Sequence, residues 1–230
     1  MTETVYEKLA QVLEDVNCVI FDLDNTLLDS HDAWRNVDYE FFKKRNITEP
    51  EGYGKSVAYM TFKEAAEYTI ELLKLSESVE AITQEWFDCI QRQYSQELKV
   101  FDGVKELLEA LKKKDKKIAL ATASAERLYT AALENNSVLQ YFDAFASTEE
   151  TERGKGFPDV YLLAAERAGA LPCECIVFED IPTGIAAAKQ GGMSAAAYFC
   201  GANADIREEL SRLADFCFGD YAELARRIEP

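Results

Sequence analysis

No apolar run in this sequence is long enough to cross a membrane as a helix. Such a helix needs roughly 18 consecutive apolar residues, and none of the apolar stretches reaches that length. The first residues, Met-Thr-Glu-Thr-Val-Tyr-Glu-Lys, have neither the basic region nor the apolar region of a secretory signal peptide. We therefore expect a cytoplasmic protein that makes no contact with membranes.

Basic residues are scarce relative to acidic ones. Lys and Arg number 25 and Asp and Glu number 42, which gives a formal net charge of −17 at pH 7. Nucleic acids and anionic membrane surfaces repel such a chain, so we expect neither as a partner. An anionic small substrate is repelled as well, but salt screens this field over about 8 Å. A bound cation and one lysine could therefore offset the charge locally.

The sequence also lacks paired cysteines and internal repeats. Its six cysteines include no Cys-x-x-Cys pair, and several lie in apolar runs, where cysteine acts as a small hydrophobic residue. We therefore expect no disulfide framework. Hydrophobic residues make up 48% of the chain, which is enough for a substantial buried core.

Short apolar runs rich in β-branched and aromatic residues predict the strands of a sheet. They cover residues 18–23, 118–122, 144–147, 176–179 and 195–200. Helical spacing of apolar residues is found over residues 3–16, 104–114, 125–135, 158–169, 183–190 and 206–213. Because strands and helices alternate after residue 100, the sequence predicts an α/β fold with a doubly wound parallel sheet.

The first and second predicted strands are separated by far more than the dozen or so residues that a crossover connection needs. Within this segment, helical spacing recurs over residues 31–46, 61–75 and 78–97, with a predicted loop at 49–54. We predict a small helical domain over residues 30–99, inserted into a sheet domain of residues 1–29 and 100–230. The alternative is a set of helices packed permanently on the sheet.

Two carboxylates, Asp22 and Asp24, directly follow the apolar run Cys18-Val19-Ile20-Phe21. Burying unpaired acids inside a strand is costly, so the pair is predicted where the strand emerges into a site or a turn. If the extended conformation persists, both side chains point to the same side and together attract a divalent cation. Taken alone, acids at a strand end are more often turn formers.

Three further features fall at the carboxyl ends of predicted strands or just before a helix. They are Thr122, Lys155 between two glycines, and the pair Glu179-Asp180. Alone, they would be an N-cap, a surface lysine and helix-capping acids. Open α/β sheets gather their ligands at this edge, so the four features together predict a catalytic site.

With these motifs the chain resembles the haloacid dehalogenase superfamily over nearly its whole length. Asp22-x-Asp24-x-Thr26 is similar to the first motif of that superfamily, Thr122 to the second, Lys155 to the third and Glu179-Asp180 to the fourth. The helical insertion between the first two motifs resembles the subgroup of β-phosphoglucomutase-like and phosphoglycolate-phosphatase-like proteins. The resemblance implies a Rossmann-like core with an α-helical cap.

The resemblance also implies a reaction on a small phosphorylated substrate with Mg²⁺ as the cofactor. Asp22 would attack phosphorus and form an aspartyl-phosphate. Mg²⁺ would be held by Asp22, Asp180 and the backbone carbonyl of Asp24, with Glu179 in support. Asp24 would act as general acid and base, and its presence points to phosphate esters rather than carbon–halogen bonds.

Three residues are implied to bind the phosphoryl group. Lys155 would offset its negative charge, and the Thr122 hydroxyl would hold its oxygens together with neighbouring backbone N–H groups, that of Ala123 included. The motifs say little about the rest of the substrate.

The insertion departs from the pattern of the mutases that the chain resembles. The position of their cap histidine is occupied by Trp34, and the only histidine, His31, stands three positions earlier. Lys55 stands where mutases have an arginine-containing loop. His31, Trp34 and Lys55 are candidate substrate contacts, although a solvated His31 and a Trp34 in the core of the cap helices are the preferred interpretations.

These departures favour a phosphatase, and a mutase is the alternative. A second alternative, from another class, is a binding or regulatory protein with an intact fold and negligible turnover. No sequence feature demands an oligomer, so we expect a monomer.

Overall fold

The computed structural model describes residues 4–57, 60 and 62–228, without the side chain of Lys55. The chain divides into two compact units, and each is described by itself. The core unit consists of residues 1–30 and 99–230, and the helical unit of residues 31–98. That the helical unit acts as a cap stays a prediction. No helix of the described ranges is long and apolar enough for a membrane span.

The helices are numbered in chain order. They are α1 Val5–Asp15, α2 Ala33–Lys44, α3 Tyr53–Val57, α4 Phe62–Leu73, α5 Val79–Arg92, α6 Val104–Lys113, α7 Glu126–Asn135, α8 Asp159–Ala168, α9 Pro182–Gln190, α10 Arg207–Leu213 and α11 Tyr221–Ile228. A π-helical segment, Gln93–Glu97, continues α5.

The core unit is built on one parallel sheet. Its strands are β1 Cys18–Phe21, β2 Lys117–Thr122, β3 Ala144–Ser147, β4 Cys175–Glu179, β5 Ser194–Tyr198 and β6 Phe216–Phe218. They lie in the order β3-β2-β1-β4-β5-β6, and every neighbouring pair is parallel. The chain therefore starts in the middle, builds toward one edge and then toward the other. The predicted doubly wound α/β fold is confirmed.

The central strands are buried on both faces, as expected for a parallel sheet covered by helices. Every residue of β1 and β4 is buried. The helix α8 packs against β1, β2 and β3, and begins and ends as its sequence predicts. Pro158 stands at its N-terminus, and Gly169 ends it with a φ of 73°, a left-handed conformation that glycine adopts without strain.

Some predictions for the core unit are wrong. The first strand ends at Phe21 rather than Leu23, so Asp22 and Asp24 lie beyond it. The strand β6 and the helix α11 were not predicted. A three-residue strand is too short to give a periodic signal, whereas α11 buries Tyr221, Leu224, Ala225 and Ile228 at helical spacing and was detectable.

The helical unit has its own small aromatic core. The rings of Phe41 and Trp86 lie 5.5 Å apart, and those of Phe42 and Tyr53 lie 4.9 Å apart. One prediction here is wrong, because helix α3 begins inside the predicted loop 49–54. The helix predicted over residues 78–97 is confirmed, and its last turn is the π-helical segment.

Candidate active site

The polar residues that follow β1, β2 and β4 lie at one edge of the sheet. Asp22 comes directly after β1 and donates its backbone N–H to the carbonyl of Phe178 at 3.0 Å. Thr122 ends β2 and Glu179 ends β4, the two strands that flank β1. The sheet order turns back beside β1, which is the position where open α/β sheets bind ligands.

Lys155 reaches this edge from the loop before α8. Its ammonium donates to Asp22 Oδ1 and to Glu179 Oε1, the latter at 2.6 Å. The lysine side chain is 12% exposed, while those of Asp22 and Glu179 are 4% and 0% exposed. One buried cation thus joins two buried carboxylates. Removing the lysine charge would leave both carboxylates without this partner inside the protein and would strongly destabilise the fold.

Glu179 has its carboxylate oxygens held from several directions. Oε1 also accepts from the Tyr161 hydroxyl at 2.7 Å, and Oε2 accepts the backbone N–H groups of Asp180 and Ile181 at 2.8 and 3.2 Å. Burial by itself would raise the pKa of Glu179, but Lys155 and these hydrogen bonds outweigh it and lower the pKa. Glu179 is therefore a fixed negative charge that orients Lys155.

Gly184, in α9, makes this close arrangement possible. A Cβ atom at this position would stand 2.4 Å from Glu179 Oε1 and 2.8 Å from the Tyr161 hydroxyl oxygen. Both distances are too short for any side chain, so α9 can approach the buried carboxylate only through a glycine.

The surroundings of Asp22 and Asp180 disfavour their ionised forms in spite of the nearby positive charge of Lys155. Burial raises the pKa of Asp22 to about 7 against the opposing charge of Lys155, and Glu179 and Asp24 raise it further. Burial likewise raises the pKa of Asp180 to about 8, and the charges of Asp22 and Glu179 add to this. A second cation near these carboxylates would favour their ionised forms.

The three acids form a candidate metal site. Carboxylate oxygens of Asp22, Glu179 and Asp180 all lie within 4.8 Å of one another. Hard oxygen ligands of this kind suit Mg²⁺, which keeps several waters and is bound by one or two carboxylates. The donor set therefore fits the implied cofactor. The part of Asp24 in that site rests on its backbone carbonyl and stays a prediction.

Asp24 and Thr122 are linked through Ser124. The hydroxyl of Ser124 donates to Asp24 Oδ2 at 2.8 Å, and its backbone N–H donates to Thr122 Oγ1 at 3.0 Å. Thr122 Oγ1 accepts this bond, and a hydroxyl that accepts can also donate its own proton to a ligand. Thr122 is fully buried, and Ala123 beside it is exposed.

Of the three predicted substrate contacts, none lies in the core unit. His31 is exposed, in agreement with a solvated side chain. The interpretation of Trp34 as part of a helix core is wrong, because the buried face of α2 runs through Ala33, Val37 and Phe41 and leaves Trp34 49% exposed. The side chain of Lys55 lies outside the described part of the structure.

Trp34 instead lines an open cavity of about 460 Å³ within the helical unit. Most of the lining is apolar, with Phe62 and Trp86 beside Trp34 and with Asp38 as a charged member. The ring of Trp34 packs edge-on against that of Phe62 at 5.4 Å.

Some residues of the site give little sign of themselves in the sequence. Tyr161 occupies a buried position of α8 where any large apolar residue would satisfy the helical pattern. Asn203 is buried and donates to the carbonyls of Asp180 and Tyr198 at 3.2 and 2.7 Å. Asn203 was the more detectable of the two, because it is a polar residue in the small-residue stretch Gly201-Ala202-Asn203 that follows a strand.

The chain is similar to known proteins along most of its length. The family described as haloacid dehalogenase-like hydrolase matches residues 19–198. A phosphorylated carbohydrates phosphatase of Thermotoga maritima is 31% identical over 182 residues, which cover 77% of this chain and 82% of that protein. A fructose-1-phosphate phosphatase of Escherichia coli is 29% identical over 185 residues, which cover 77% and 93% of the two chains.

A solved structure is also similar. It is that of a Thermotoga maritima protein described as a β-phosphoglucomutase, with 26% identity and a TM-score of 0.79. The match covers 91% of this chain and 97% of that one.

Proposed function

Because the chain belongs to the haloacid dehalogenase-like hydrolases, we propose that it is a Mg²⁺-dependent phosphatase that hydrolyses small phosphorylated metabolites, with phosphorylated carbohydrates as the substrate class. One observation carries this proposal: a buried lysine joins Asp22 to Glu179 at the strand ends where Asp180 completes a cluster of acids. The names of the two phosphatase relatives support the choice of substrate class.

Asp22 is the nucleophile. Its carboxylate attacks phosphorus, the bond from phosphorus to the leaving oxygen breaks, and an aspartyl-phosphate forms. Lys155 stabilises the ionised form of Asp22 before the attack and offsets the charge that develops on the phosphoryl oxygens. Its ammonium needs no reorganisation for this, because Glu179 already holds it in place.

Asp22, Asp180 and the backbone carbonyl of Asp24 would hold the metal. When bound, Mg²⁺ neutralises charge between the carboxylate nucleophile and the phosphate and orients the two for reaction. Glu179 supports the site indirectly, because its oxygens already accept hydrogen bonds from Lys155, Tyr161 and two backbone N–H groups.

Asp24 carries the proton in both halves of the reaction. It gives a proton to the leaving oxygen, and then takes one from the water that hydrolyses the aspartyl-phosphate. The Thr122 hydroxyl and neighbouring backbone N–H groups, that of Ala123 included, bind the phosphoryl oxygens.

The test is release of inorganic phosphate from a panel of phosphorylated metabolites, sugar phosphates among them, with and without Mg²⁺. We expect Mg²⁺-dependent release that Asp22→Asn abolishes, because an amide cannot serve as the nucleophile. Asp15→Asn, in an exposed residue at the end of α1, makes the same charge change and should leave the rate unaltered. Wild-type activity in Asp22→Asn would refute the assigned nucleophile. Absence of turnover with every ester would favour the binding or regulatory alternative.

A mutase is the second candidate, favoured by the likeness to the protein described as a β-phosphoglucomutase. Trp34 at the position of the mutase histidine speaks against it. The two are distinguished by incubation with β-glucose 1-phosphate and a bisphosphate activator. Formation of glucose 6-phosphate without free phosphate would establish the mutase, whereas release of free phosphate would support the phosphatase.

A further inference from the structure

Ser124 connects the segment after β2 to the segment after β1 by one side-chain hydrogen bond, which reaches Asp24. Its hydroxyl donates to Asp24 Oδ2 at 2.8 Å, although the two residues are 100 positions apart in the chain. Hydrogen bonds to charged acceptors are among the stronger ones in proteins. The contact therefore restricts the rotation of the Asp24 carboxylate.

The backbone of Ser124 is itself held on both sides. Its N–H donates to Thr122 Oγ1 at 3.0 Å, and its carbonyl accepts from the hydroxyl of Ser147 at 3.1 Å. Ser147 is buried at the end of β3, and its hydroxyl also accepts the N–H of Glu149. Ser124 is thus fixed to the rigid edge of the sheet, so it can hold a second residue in place.

Helix capping does not account for this hydroxyl. A serine just before a helix commonly caps it by accepting a backbone N–H. The residue at the N-cap of α7 is Ala125, and α7 has no side-chain cap. The Ser124 hydroxyl, one position earlier, donates to Asp24 instead.

We propose that Ser124 is a positioning residue for proton transfer by Asp24. This inference rests on the proposed function, in which Asp24 protonates the leaving oxygen while the new bond from Asp22 to phosphorus forms. Ser124 holds Oδ2 by its hydroxyl and so orients the carboxyl group that delivers the proton. In the second half-reaction the same restraint keeps the carboxylate ready to accept a proton from water.

The test compares two classes of ester in Ser124→Ala. An alkyl phosphate, such as a sugar phosphate, has a leaving oxygen that needs a proton, whereas p-nitrophenolate leaves as a stable anion. The readout is kcat/KM, which covers the steps up to departure of the leaving group and omits the later hydrolysis. We expect about a tenfold loss with the alkyl ester, a fraction of the roughly 10²–10⁴ that proton transfer contributes, and less than about a twofold loss with p-nitrophenyl phosphate.

Three further variants separate positioning from a structural effect. Ser124→Thr keeps the hydroxyl and should restore most of the loss. In an Asp24→Asn background, Ser124→Ala should cause no further loss, because the group it positions is gone. Ser211→Ala, which removes an exposed serine hydroxyl from α10, should behave as wild type with both esters.

The outcomes distinguish this inference from the proposed function. Equal losses with both esters, no loss with either, or an additional loss in the Asp24→Asn background would overturn the role of Ser124 in an otherwise active phosphatase. A wild-type protein that releases no phosphate from any ester would overturn the proposed function and the role of Ser124 together.

Discussion

Most candidate functional residues of the core unit are buried, whereas those described in the helical unit are exposed. In the core unit, Asp22, Glu179 and Lys155 are buried together, and each has charged or hydrogen-bonded neighbours that fix its position. In the helical unit, the candidate substrate contacts His31 and Trp34 are exposed, and the cavity that Trp34 lines is mostly apolar.

This difference teaches which parts of the function are built into the fold. In the proposed mechanism the reaction depends on charges held in a buried network, so substitutions there should change both activity and stability. Exposed apolar side chains contribute little to stability and can vary with the substrate. The core unit should therefore determine the chemistry, and the helical unit its choice of ester.

The largest effect on stability should come from the apolar core of the helical unit. Trp86 is 6% exposed and packs against Phe41, so Trp86→Ala should cost about 3–5 kcal/mol in urea unfolding. Trp34→Ala removes the same ring from an exposed position and should cost less than about 1 kcal/mol. Its effect should appear in kcat/KM and differ between esters. Equal destabilisation by the two substitutions would contradict the assignment of Trp86 to the core and of Trp34 to the exposed surface.

Gly184→Ala should lower both the stability and the activity of the protein. The new methyl group would overlap Glu179 and Tyr161, and the strain of overpacking is about 1–3 kcal/mol. Because Glu179 must move and Lys155 with it, we expect phosphatase activity to fall about 100-fold in addition. In Gly201→Ala the added methyl group meets open space, so that variant should unfold and react like wild type. Normal activity in Gly184→Ala would show that Glu179 need not hold its observed position.

Magnesium should stabilise the folded protein even without substrate. The acids near Asp180 repel one another, and an ion that binds only the folded state adds about 2.7 kcal/mol at a concentration 100 times its Kd. Thermal unfolding with Mg²⁺ and after chelation measures this. Asp180→Asn should abolish the shift, whereas Asp15→Asn should retain it. An undiminished shift in Asp180→Asn would place the ion elsewhere.

The strand ends of the core unit were predictable because charge there interrupts apolar runs. Asp22 and Glu179-Asp180 follow such runs directly, and parallel strands bring their ends to one edge whatever the intervening sequence. Lys155 was placed by its motif rather than by any periodicity. The structure brings all of these residues together, although β1 ends before Asp22.

The supporting residues were not predictable for a physical reason. Tyr161 fits its helix as an apolar ring, and only the fold reveals that its hydroxyl donates to the carboxylate at the end of β4. Gly184 looks like any small residue until the position of Glu179 is known. The exposure of Trp34 depends on which face of α2 packs inward. The sequence does not determine that face, because apolar residues occur on more than one side of the helix.

Tyr161→Phe should have a smaller effect, confined to one hydrogen bond. It leaves Glu179 Oε1 with Lys155 as its remaining side-chain donor, so the lysine is held less firmly and kcat/KM should fall about tenfold, equal to about 1.4 kcal/mol. Tyr141→Phe is the matched control, since that hydroxyl donates to Glu109 Oε1 at 2.6 Å outside the site. A similar loss of activity in both variants would mean that the Tyr161 hydroxyl has no special part in the reaction.

The smallest effect should be a pH dependence in the helical unit. Burial and the charge of Glu49 raise the pKa of Asp38 to about 6, whereas in Glu179 an adjacent lysine reverses the effect of burial. Since the unfolded value is about 3.9, the native state binds more protons between these values. The contribution of Asp38 to stability is therefore present below about pH 4 and is lost as the pH rises through 6. As the pH rises across this range, the free energy of unfolding of Asp38→Asn should increase relative to that of wild type. The increase should be less than about 1 kcal/mol, because solvent screens a partly exposed carboxyl. Urea unfolding of both proteins at several pH values measures the difference, and a gap that stayed constant from pH 4 to 7 would show that Asp38 is ionised alike in both states.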